Sequence, residues 1–372
     1  MPKVSSLFSV NRLVPAMSSK PTGDAISIDD FIIGKGHPPF VIAELSGNHQ
    51  QNLELAMAMV EAAAKAGAHG IKLQTYTADS MTLDVGSDDF VIQEQDSLWK
   101  GEKLHALYQK AATPYEWHKP LFDKAHSLGM SAFSSPFDEE AVDFLDSLNV
   151  PCFKIASFEL TDLPLISKAA SKGKPLIMST GMASLTEIEQ AVSTAKQAGC
   201  RQIILLKCTS TYPALATNTN LNTIPHLRDA FGCQVGLSDH TAGIGASVAA
   251  IALGATVIEK HFVLDRSAGG VDAEFSLEPL ELASLVIESK RAWQAMGEVC
   301  YGGTQAEEKS KQYRRSIYVS HDIQAGEVLN AGNLQIVRPA FGLAPKHWDQ
   351  VRGMVAKRAL PKGTALSWEH IE

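Results

Sequence analysis

The chain has 372 residues, enough for two or three domains with a sizeable buried core. Apolar residues make up 45% of it, with 27 glycines and 17 prolines, so disordered and collagen-like classes are excluded. The formal net charge is −8 with scattered Lys and Arg, so we expect no nucleic-acid partner. The longest apolar run, residues 247–258, is too short to span a bilayer, so we expect no membrane partner either.

The first 24 residues and the cysteines bear on processing and location. Residues 1–24 are basic and faintly like a transit peptide, or they precede a natural start at Met17; we treat them as a flexible N-terminal extension outside the fold. The five cysteines are odd in number and contain no C-x-x-C pair, which argues against a disulfide framework and a thiolate zinc site. This pattern favours the cytoplasm.

Short β-branched or apolar runs alternate with segments of helical period along residues 40–261. There are eight such runs: 40–45, 70–74, 131–135, 152–157, 175–179, 202–207, 234–238 and 256–261. Eight strands alternating with helices favour a closed (β/α)8 (TIM) barrel of parallel strands over an open sheet. The sequence therefore predicts an α/β protein with a catalytic barrel over residues 25–297.

Two further segments interrupt or follow the barrel pattern. Residues 76–120 are too long for one connection and predict an inserted loop or lid, with Trp117, over the barrel mouth. The polar residues 298–313 predict a linker to a small second domain, 314–372. That domain repeats the pattern Ile323-x-x-Gly326-x-x-Leu329 at residues 360–366, which indicates a β-rich module with internal pseudo-symmetry.

Polar residues follow nearly every predicted strand. In barrels of this kind the active site lies at the C-terminal strand ends. The strand-end residues are Glu44, Lys72, Gln74, Ser134, Ser135, Lys154, Ser157, Glu159, Ser179, Thr180, Lys207, Ser210, Tyr212, Ser238, Asp239, His240, Glu259 and His261.

Two pairs among these residues predict ligands. Lys72 and Lys154 lie in runs that read as barrel interior, where an unpaired ammonium is costly, so a small anion such as a phosphate group would suit them. The alternative is that each lysine pairs with a strand-end glutamate. His240 and His261 end consecutive strands and can reach one divalent ion with open positions for water or substrate, the alternative being ordinary hydrogen-bonded histidines.

The ordered motifs from residue 26 to residue 372 resemble the sialic acid synthase family. They are AELSGNHQ (43–50), IKLQTY (71–76), FSSPFDEEAVDFL (133–145), FKIASFEL (153–160), MSTGMAS (178–184), LKCTSTYP (206–213), GLSDHTAGIGAS (236–247), EKHFVLDRS (259–267) and IVRPAFGL (336–343). The resemblance implies a (β/α)8 barrel followed by an antifreeze-like (SAF) domain. It also implies condensation of phosphoenolpyruvate with the open-chain aldehyde of an N-acetylated aminosugar, with a divalent ion, Mn²⁺ or Mg²⁺.

Within the family, the chain is most similar to the branch whose product is pseudaminic acid. Ser210 stands where N-acetylneuraminate-forming members usually have Asn. The implied acceptor is therefore a 2,4-diacetamido-2,4,6-trideoxy-altropyranose, the alternatives being the acceptors for N-acetylneuraminate or legionaminic acid. More distant alternatives are a metal-dependent aldolase or hydrolase, or an inert barrel carrying a carbohydrate- or ice-binding tail.

Roles carried over by matching position complete the expectation. The metal ligands would be His240 and His261, and Glu44 and Glu159 would move protons. Residues expected to bind substrate are Lys72, Gln74, Ser135, Lys154, Ser157, Ser179, Ser210, Tyr212, Ser238 and Asp272. The family plan also implies a domain-swapped homodimer in which Arg338 of the tail acts at the other subunit's barrel, the alternative being a surface arginine.

Overall fold

The computed structural model describes residues 24–94 and 97–372. Apart from Asp24, the predicted N-terminal extension lies outside these residues. The chain divides into two compact units, one ending at Gly297 and the other spanning Glu298–Glu372. In the described ranges, no helix combines the length and apolar character needed to cross a membrane.

A short antiparallel hairpin precedes the barrel and is not among the predicted strands. Its strands are β1 (Ile26–Ile28) and β2 (Phe31–Ile33), paired from Ile26 opposite Ile33 to Ile28 opposite Phe31. Asp29 lies in the turn with a φ of 49°, a left-handed conformation that Asp tolerates better than most residues. The buried isoleucines at alternate positions join the barrel core.

Eight parallel strands close into a barrel, as predicted. They are β3 (Phe40–Glu44), β4 (Gly70–Thr75), β5 (Ser131–Pro136), β6 (Phe153–Ile155), β7 (Leu176–Ser179), β8 (Ile203–Cys208), β9 (Gln234–Asp239) and β10 (Val257–His261). Strand β10 pairs with β3 and places His261 opposite Glu44, which closes the ring. Because all eight strands run in one direction, their C-terminal ends meet on one face.

Helices pack on the barrel with apolar side chains, except for two short ones in the insertion after β4. The helices of this unit are α1 (Leu53–Lys65), α2 (Ala78–Met81), α3 (Leu104–Ala111), α4 (Tyr115–Ser127), α5 (Glu139–Ser147), α6 (Leu163–Ala170), α7 (Leu185–Gln197), α8 (Thr223–Phe231), α9 (Gly245–Ala252) and α10 (Pro279–Met296). In α7, Ser184 and Glu187 form a reciprocal capping box that fixes the helix start.

The insertion after β4 differs from the predicted loop. It contains α2 and α3, and its last residues begin α4, so the segment is partly helical. Trp117 lies on α4, where its ring meets His49 edge to face at 5.5 Å between centroids. Trp99 is the tryptophan of this insertion that lines the cavity at the barrel mouth.

The second unit has its own small core. Strands β11 (Ser316–Val319) and β12 (Leu334–Val337) pair antiparallel, and one short helix follows, α11 (Trp348–Val351). The repeated segments meet where Ile323 and Leu360 exchange two backbone hydrogen bonds of 2.9 Å. Gly326 and Gly363 occupy matching turns with φ of 82° and 88°, a conformation that L side chains rarely adopt. The predicted β-rich repeat is therefore present.

Candidate active site

A cavity of about 990 Å³ opens at the C-terminal ends of the barrel strands. Twelve of the predicted site residues line it: Lys72, Gln74, Lys154, Ser157, Glu159, Ser179, Ser210, Tyr212, Ser238, His240, His261 and Asp272. Glu44 and Ser135 are buried behind it, in contact with Lys72. Arg338 lies in the second unit, exposed, at the end of β12.

A buried charge network occupies the floor of the cavity. Glu259 lies between the two lysines, with its carboxylate oxygens 3.3 Å from Lys72 Nζ and 3.1 Å from Lys154 Nζ. Lys72 Nζ also lies 3.0 Å from Glu44 Oε2. Each lysine thus pairs with a strand-end glutamate, the alternative that the sequence left open. The network presents two ammonium groups to the cavity that an incoming anion can share.

The pKa values of the two glutamates are shifted in opposite directions. Burial alone would raise both values, but two adjacent ammonium groups and a 2.9 Å hydrogen bond from Ser238 lower the pKa of Glu259, which stays ionised. Glu44 has only one ammonium in contact, so burial prevails and raises its pKa to about 7. For Lys154, burial disfavours the charged form and lowers the pKa. The Glu44 carboxyl group can therefore gain or lose a proton near neutral pH.

Replacing Glu44 by Gln is expected to flatten the dependence of stability on pH. Because the folded-state pKa of about 7 exceeds the ordinary 4.5, the stability linked to this proton is fully present below pH 4.5 and is lost as the pH rises through 7. Between about pH 5 and pH 8, the free energy of unfolding should therefore fall further in the parent than in Glu44→Gln. Urea denaturation at both pH values measures this, with Glu54→Gln on the exposed face of α1 as control; an equal or larger fall in Glu44→Gln would contradict the account.

Hydroxyl groups surround the space above the two lysines. Ser179 Oγ is fully buried and has no hydrogen-bond partner among the described residues. Ser157 Oγ and Ser210 Oγ lie 2.7 Å apart. The loop after β7 passes so close that a Cβ on Gly181, whose φ is +45°, would stand 2.5 Å from Ser157 Cβ. A buried hydroxyl without a partner costs free energy, and a ligand oxygen would satisfy it.

His240 and His261 lie side by side, with ring centroids 5.2 Å apart. His240 Nδ1 lies 3.0 Å from the carbonyl oxygen of Thr209, and His261 Nδ1 lies 3.1 Å from Ser46 Oγ. Within the described ranges, neither Nε2 has a hydrogen-bond partner. A histidine whose Nδ1 is held by another group while Nε2 is free is the usual form of a metal ligand, so this pair fits a divalent ion.

The pair is a partial ligand set that leaves room for other ligands. Burial lowers the pKa of His261, which keeps its lone pair available. For His240 burial acts in the same direction, but the hydrogen bond and charge of Cys208, the Thr209 carbonyl and the Glu259 carboxylate together outweigh it, so the pKa of His240 is raised. No group of three or more His, Cys, Asp or Glu within residues 24–94 and 97–372 is arranged to hold an ion. An ion bound by these two histidines alone would keep open positions for water or substrate, and this stays a prediction.

The outer part of the cavity is lined by aromatic and acidic groups. Tyr212 stacks at a tilt on His240, with centroids 4.7 Å apart, and lies 6.1 Å from Trp99. Glu159 Oε2 is buried and has no hydrogen-bond partner in the part of the chain that the structure describes, and burial raises the pKa of Glu159 to about 6. Burial also raises the pKa of Asp272. This side can hold a polar, uncharged ligand with hydroxyl and amide groups.

Three residues of the site were given no role by the sequence analysis. Glu259 was one of many strand-end residues, and only its position between the lysines sets it apart. Ser46 holds His261, and Phe275 packs on both imidazoles, with centroids 4.9 Å from His261 and 6.0 Å from His240. Strand alternation could have identified Glu259 from the sequence, because it lies two residues before His261 and therefore on the same face of β10.

Comparison with known proteins identifies the family. The model of the NeuB family matches residues 59–301, and that of the SAF domain matches residues 314–372. The chain is 44% identical over 336 residues to a pseudaminic acid synthase of Helicobacter pylori, which covers 90% of this chain and 98% of that protein. It is 38% identical over 321 residues to an N,N'-diacetyllegionaminic acid synthase of Campylobacter jejuni, covering 86% and 96%.

A solved structure extends the comparison to the fold. The N-acetylneuraminic acid synthetase of Leptospira borgpetersenii, crystallised with citrate, superposes with a TM-score of 0.69 at 33% identity, over 77% of this chain and 95% of that one. The barrel fold, the residues at the strand ends and the sequence relatives all indicate the same family. The chain belongs to the NeuB family and ends in a SAF domain.

Proposed function

We propose that this protein condenses phosphoenolpyruvate with an N-acetylated aminosugar, 2,4-diacetamido-2,4,6-trideoxy-altropyranose, to give pseudaminic acid and phosphate. The observation that carries the proposal is one cavity that holds two buried ammonium groups beside two imidazoles whose Nε2 atoms have no hydrogen-bond partner among residues 24–94 and 97–372. The names of the relatives at 43–44% identity support the same reaction. Both reactants can therefore meet at one place, between an anion site and an electrophile site.

Phosphoenolpyruvate binds at the floor of the cavity. Its anionic groups are held by Lys72, Lys154, Ser157, Ser179 and Ser238, with Ser135 supporting Lys72 at 3.5 Å. The unpartnered hydroxyl of Ser179 supports this placement. Because Glu44 has a pKa of about 7, it can accept a proton when the anion binds. Neutral Glu44 no longer forms an ion pair with Lys72, whose ammonium group then binds the anion.

A divalent ion, Mn²⁺ or Mg²⁺, is held by His240 and His261. When bound, it supplies a Lewis acid for the aldehyde oxygen of the acceptor. The chain's own residues orient that acceptor: Gln74, Glu159, Ser210, Tyr212 and Asp272 face the sugar. Gln74 Nε2 donates to Glu44 Oε1 at 2.9 Å, which links the acceptor side to the charged floor.

The proton transfers fall to Glu44 and Glu159. C3 of phosphoenolpyruvate forms a bond to the aldehyde carbon, and the aldehyde oxygen takes up a proton. Water then adds at C2 and gives up one proton. The C2–O bond to phosphate breaks as the new C2 hydroxyl becomes the ketone carbonyl, and the hydroxyl proton leaves with the phosphate. Carboxyl groups with pKa values of about 7 and about 6 are suited to such transfers near neutral pH.

A panel of acceptor sugars tests the function. We expect phosphate release from phosphoenolpyruvate only when an acceptor is present, with kcat/KM for the 2,4-diacetamido-2,4,6-trideoxy sugar at least about 10²-fold above that for N-acetylmannosamine, because mismatched polar groups are strongly rejected. A matched control is the isomeric acceptor of the legionaminic acid pathway. Equal kcat/KM for the diacetamido sugar and N-acetylmannosamine would contradict the assigned acceptor. Phosphate release that needs no sugar would contradict the reaction.

The active form is a domain-swapped homodimer in the cytoplasm, in which Arg338 reaches the barrel of the other subunit. Apolar side chains are exposed on loops that follow β6, β7 and β8, among them Phe158, Met182 and Leu215. Such a rim favours a covering partner. Phe341, three residues after Arg338, is also exposed. A planar guanidinium suits a sugar carbonyl or carboxylate at a closing site.

The proposed location in the cytoplasm is supported by the five cysteines, which are all free thiols.

A further inference from the structure

A second buried ion pair lies behind the two imidazoles, on the outer side of the barrel wall. Lys260 Nζ and Asp239 Oδ2 are 3.1 Å apart, and both side chains are 0% exposed. The two residues are register partners on β10 and β9. Strand alternation turns Lys260 away from the face that carries Glu259 and His261. The pair therefore does not contact substrate.

Hydrogen bonds extend this pair into a cluster of four residues, which we call the Asp239–Lys260 cluster. Asp239 Oδ1 accepts from the backbone N–H and the hydroxyl of Thr241 at 2.9 and 2.8 Å. Asp239 Oδ2 accepts from Ser247 Oγ, on α9, at 2.6 Å. Lys260 Nζ donates to the carbonyl oxygen of Thr241. The cluster thus joins the ends of two strands to the first turn of the helix that follows.

Residues of the Asp239–Lys260 cluster are the chain neighbours of both histidines. Asp239 and Thr241 flank His240, and Lys260 precedes His261. On the cavity side, Thr209 and Ser46 hold the two Nδ1 atoms. Each imidazole is therefore fixed at both its backbone and its ring.

Stability alone does not explain a buried ion pair at this place. Apolar side chains of similar volume would serve stability as well or better, because desolvating two charges is costly. What an apolar pair could not provide is the set of directed bonds to Thr241 and Ser247.

We infer that Asp239 and Lys260 are positioning residues that fix the spacing of His240 and His261 at which both Nε2 atoms bind one divalent cation. The inference rests on the metal site of the proposed function. Residues behind metal ligands typically change metal affinity by about 10–100-fold when they are replaced. The effect requires neither phosphoenolpyruvate nor sugar.

Calorimetric titration of the metal-free full-length protein with Mn²⁺ tests the inference. In Lys260→Met the Kd for Mn²⁺ should rise about tenfold or more. The control is Val192→Ala, which removes buried methyl groups from α7, outside the Asp239–Lys260 cluster, and its Kd should stay within about twofold of the parent value. The electron paramagnetic resonance spectrum of bound Mn²⁺ should change line width in Lys260→Met and keep the parent's in Val192→Ala.

Each outcome decides the inference. An unchanged Kd and line width in folded Lys260→Met would overturn it while leaving the metal site intact. A parent that binds no Mn²⁺ would overturn the metal site and this inference together. If Lys260→Met does not fold, Ser247→Ala, which removes one hydrogen bond to Asp239, should raise the Kd in the same direction by a smaller factor, and an unchanged Kd there would overturn the inference.

Discussion

Replacing His261 by Ala is expected to lower kcat by at least about 10³-fold, because a Lewis acid at the aldehyde oxygen contributes several kcal/mol to the barrier. Binding of Mn²⁺ in calorimetry should be lost at the same time. The fold should survive, because the side chain lies at the cavity rather than in the apolar core. Activity and metal binding are measured on the same preparation.

The matched control is His226→Ala, which removes an exposed imidazole from α8. It should keep the kcat and the Mn²⁺ affinity of the parent. Full turnover in His261→Ala, or in parent enzyme freed of metal by a chelator, would show that His261 and the ion take no part in the reaction.

Arg338→Ala is expected to leave the homodimer nearly inactive, and mixing should restore activity. After co-refolding with equal amounts of inactive His240→Ala chains, half of the dimers are mixed, and each has one barrel with intact histidines facing an intact Arg338. Its other site carries both defects. Random pairing therefore predicts recovery to about a quarter of wild-type activity.

The composition of the mixture must be checked independently. Native mass spectrometry counts the mixed dimers, and Arg352→Ala, an exposed arginine of the same unit, serves as the control that should need no complementation. Mixed dimers without recovered activity would place Arg338 in cis or outside the site.

The barrel strands could be predicted because strands buried on both faces are continuous apolar runs. The 70–74 and 234–238 runs lie within β4 and β9 of the structure. The helices of the insertion were missed because α2 and α3 are short, with four and eight residues, and give few positions on which to recognise a helical period. The hairpin of β1 and β2 was missed because three-residue strands carry too little alternation to detect.

The site was predictable in its residue types but not in its pairings. Strand-end position brought out Lys72, Lys154 and the two histidines, since the C-terminal ends of barrel strands share one face. That Glu259 reaches both lysines depends on the barrel's closure, because β10 is not a neighbour of β4 or β6. Contacts across the barrel interior are set by strand register and side-chain length, which a single sequence does not supply.

The reaction itself is tested most directly by stoichiometry. With phosphoenolpyruvate, the diacetamido sugar and Mn²⁺, phosphate and a nine-carbon acid should form in equal amounts, measured by a phosphate assay and by mass spectrometry of the product. Pyruvate in place of phosphoenolpyruvate should give no product. The same nine-carbon acid formed from pyruvate without phosphate release would make the protein an aldolase and contradict the account.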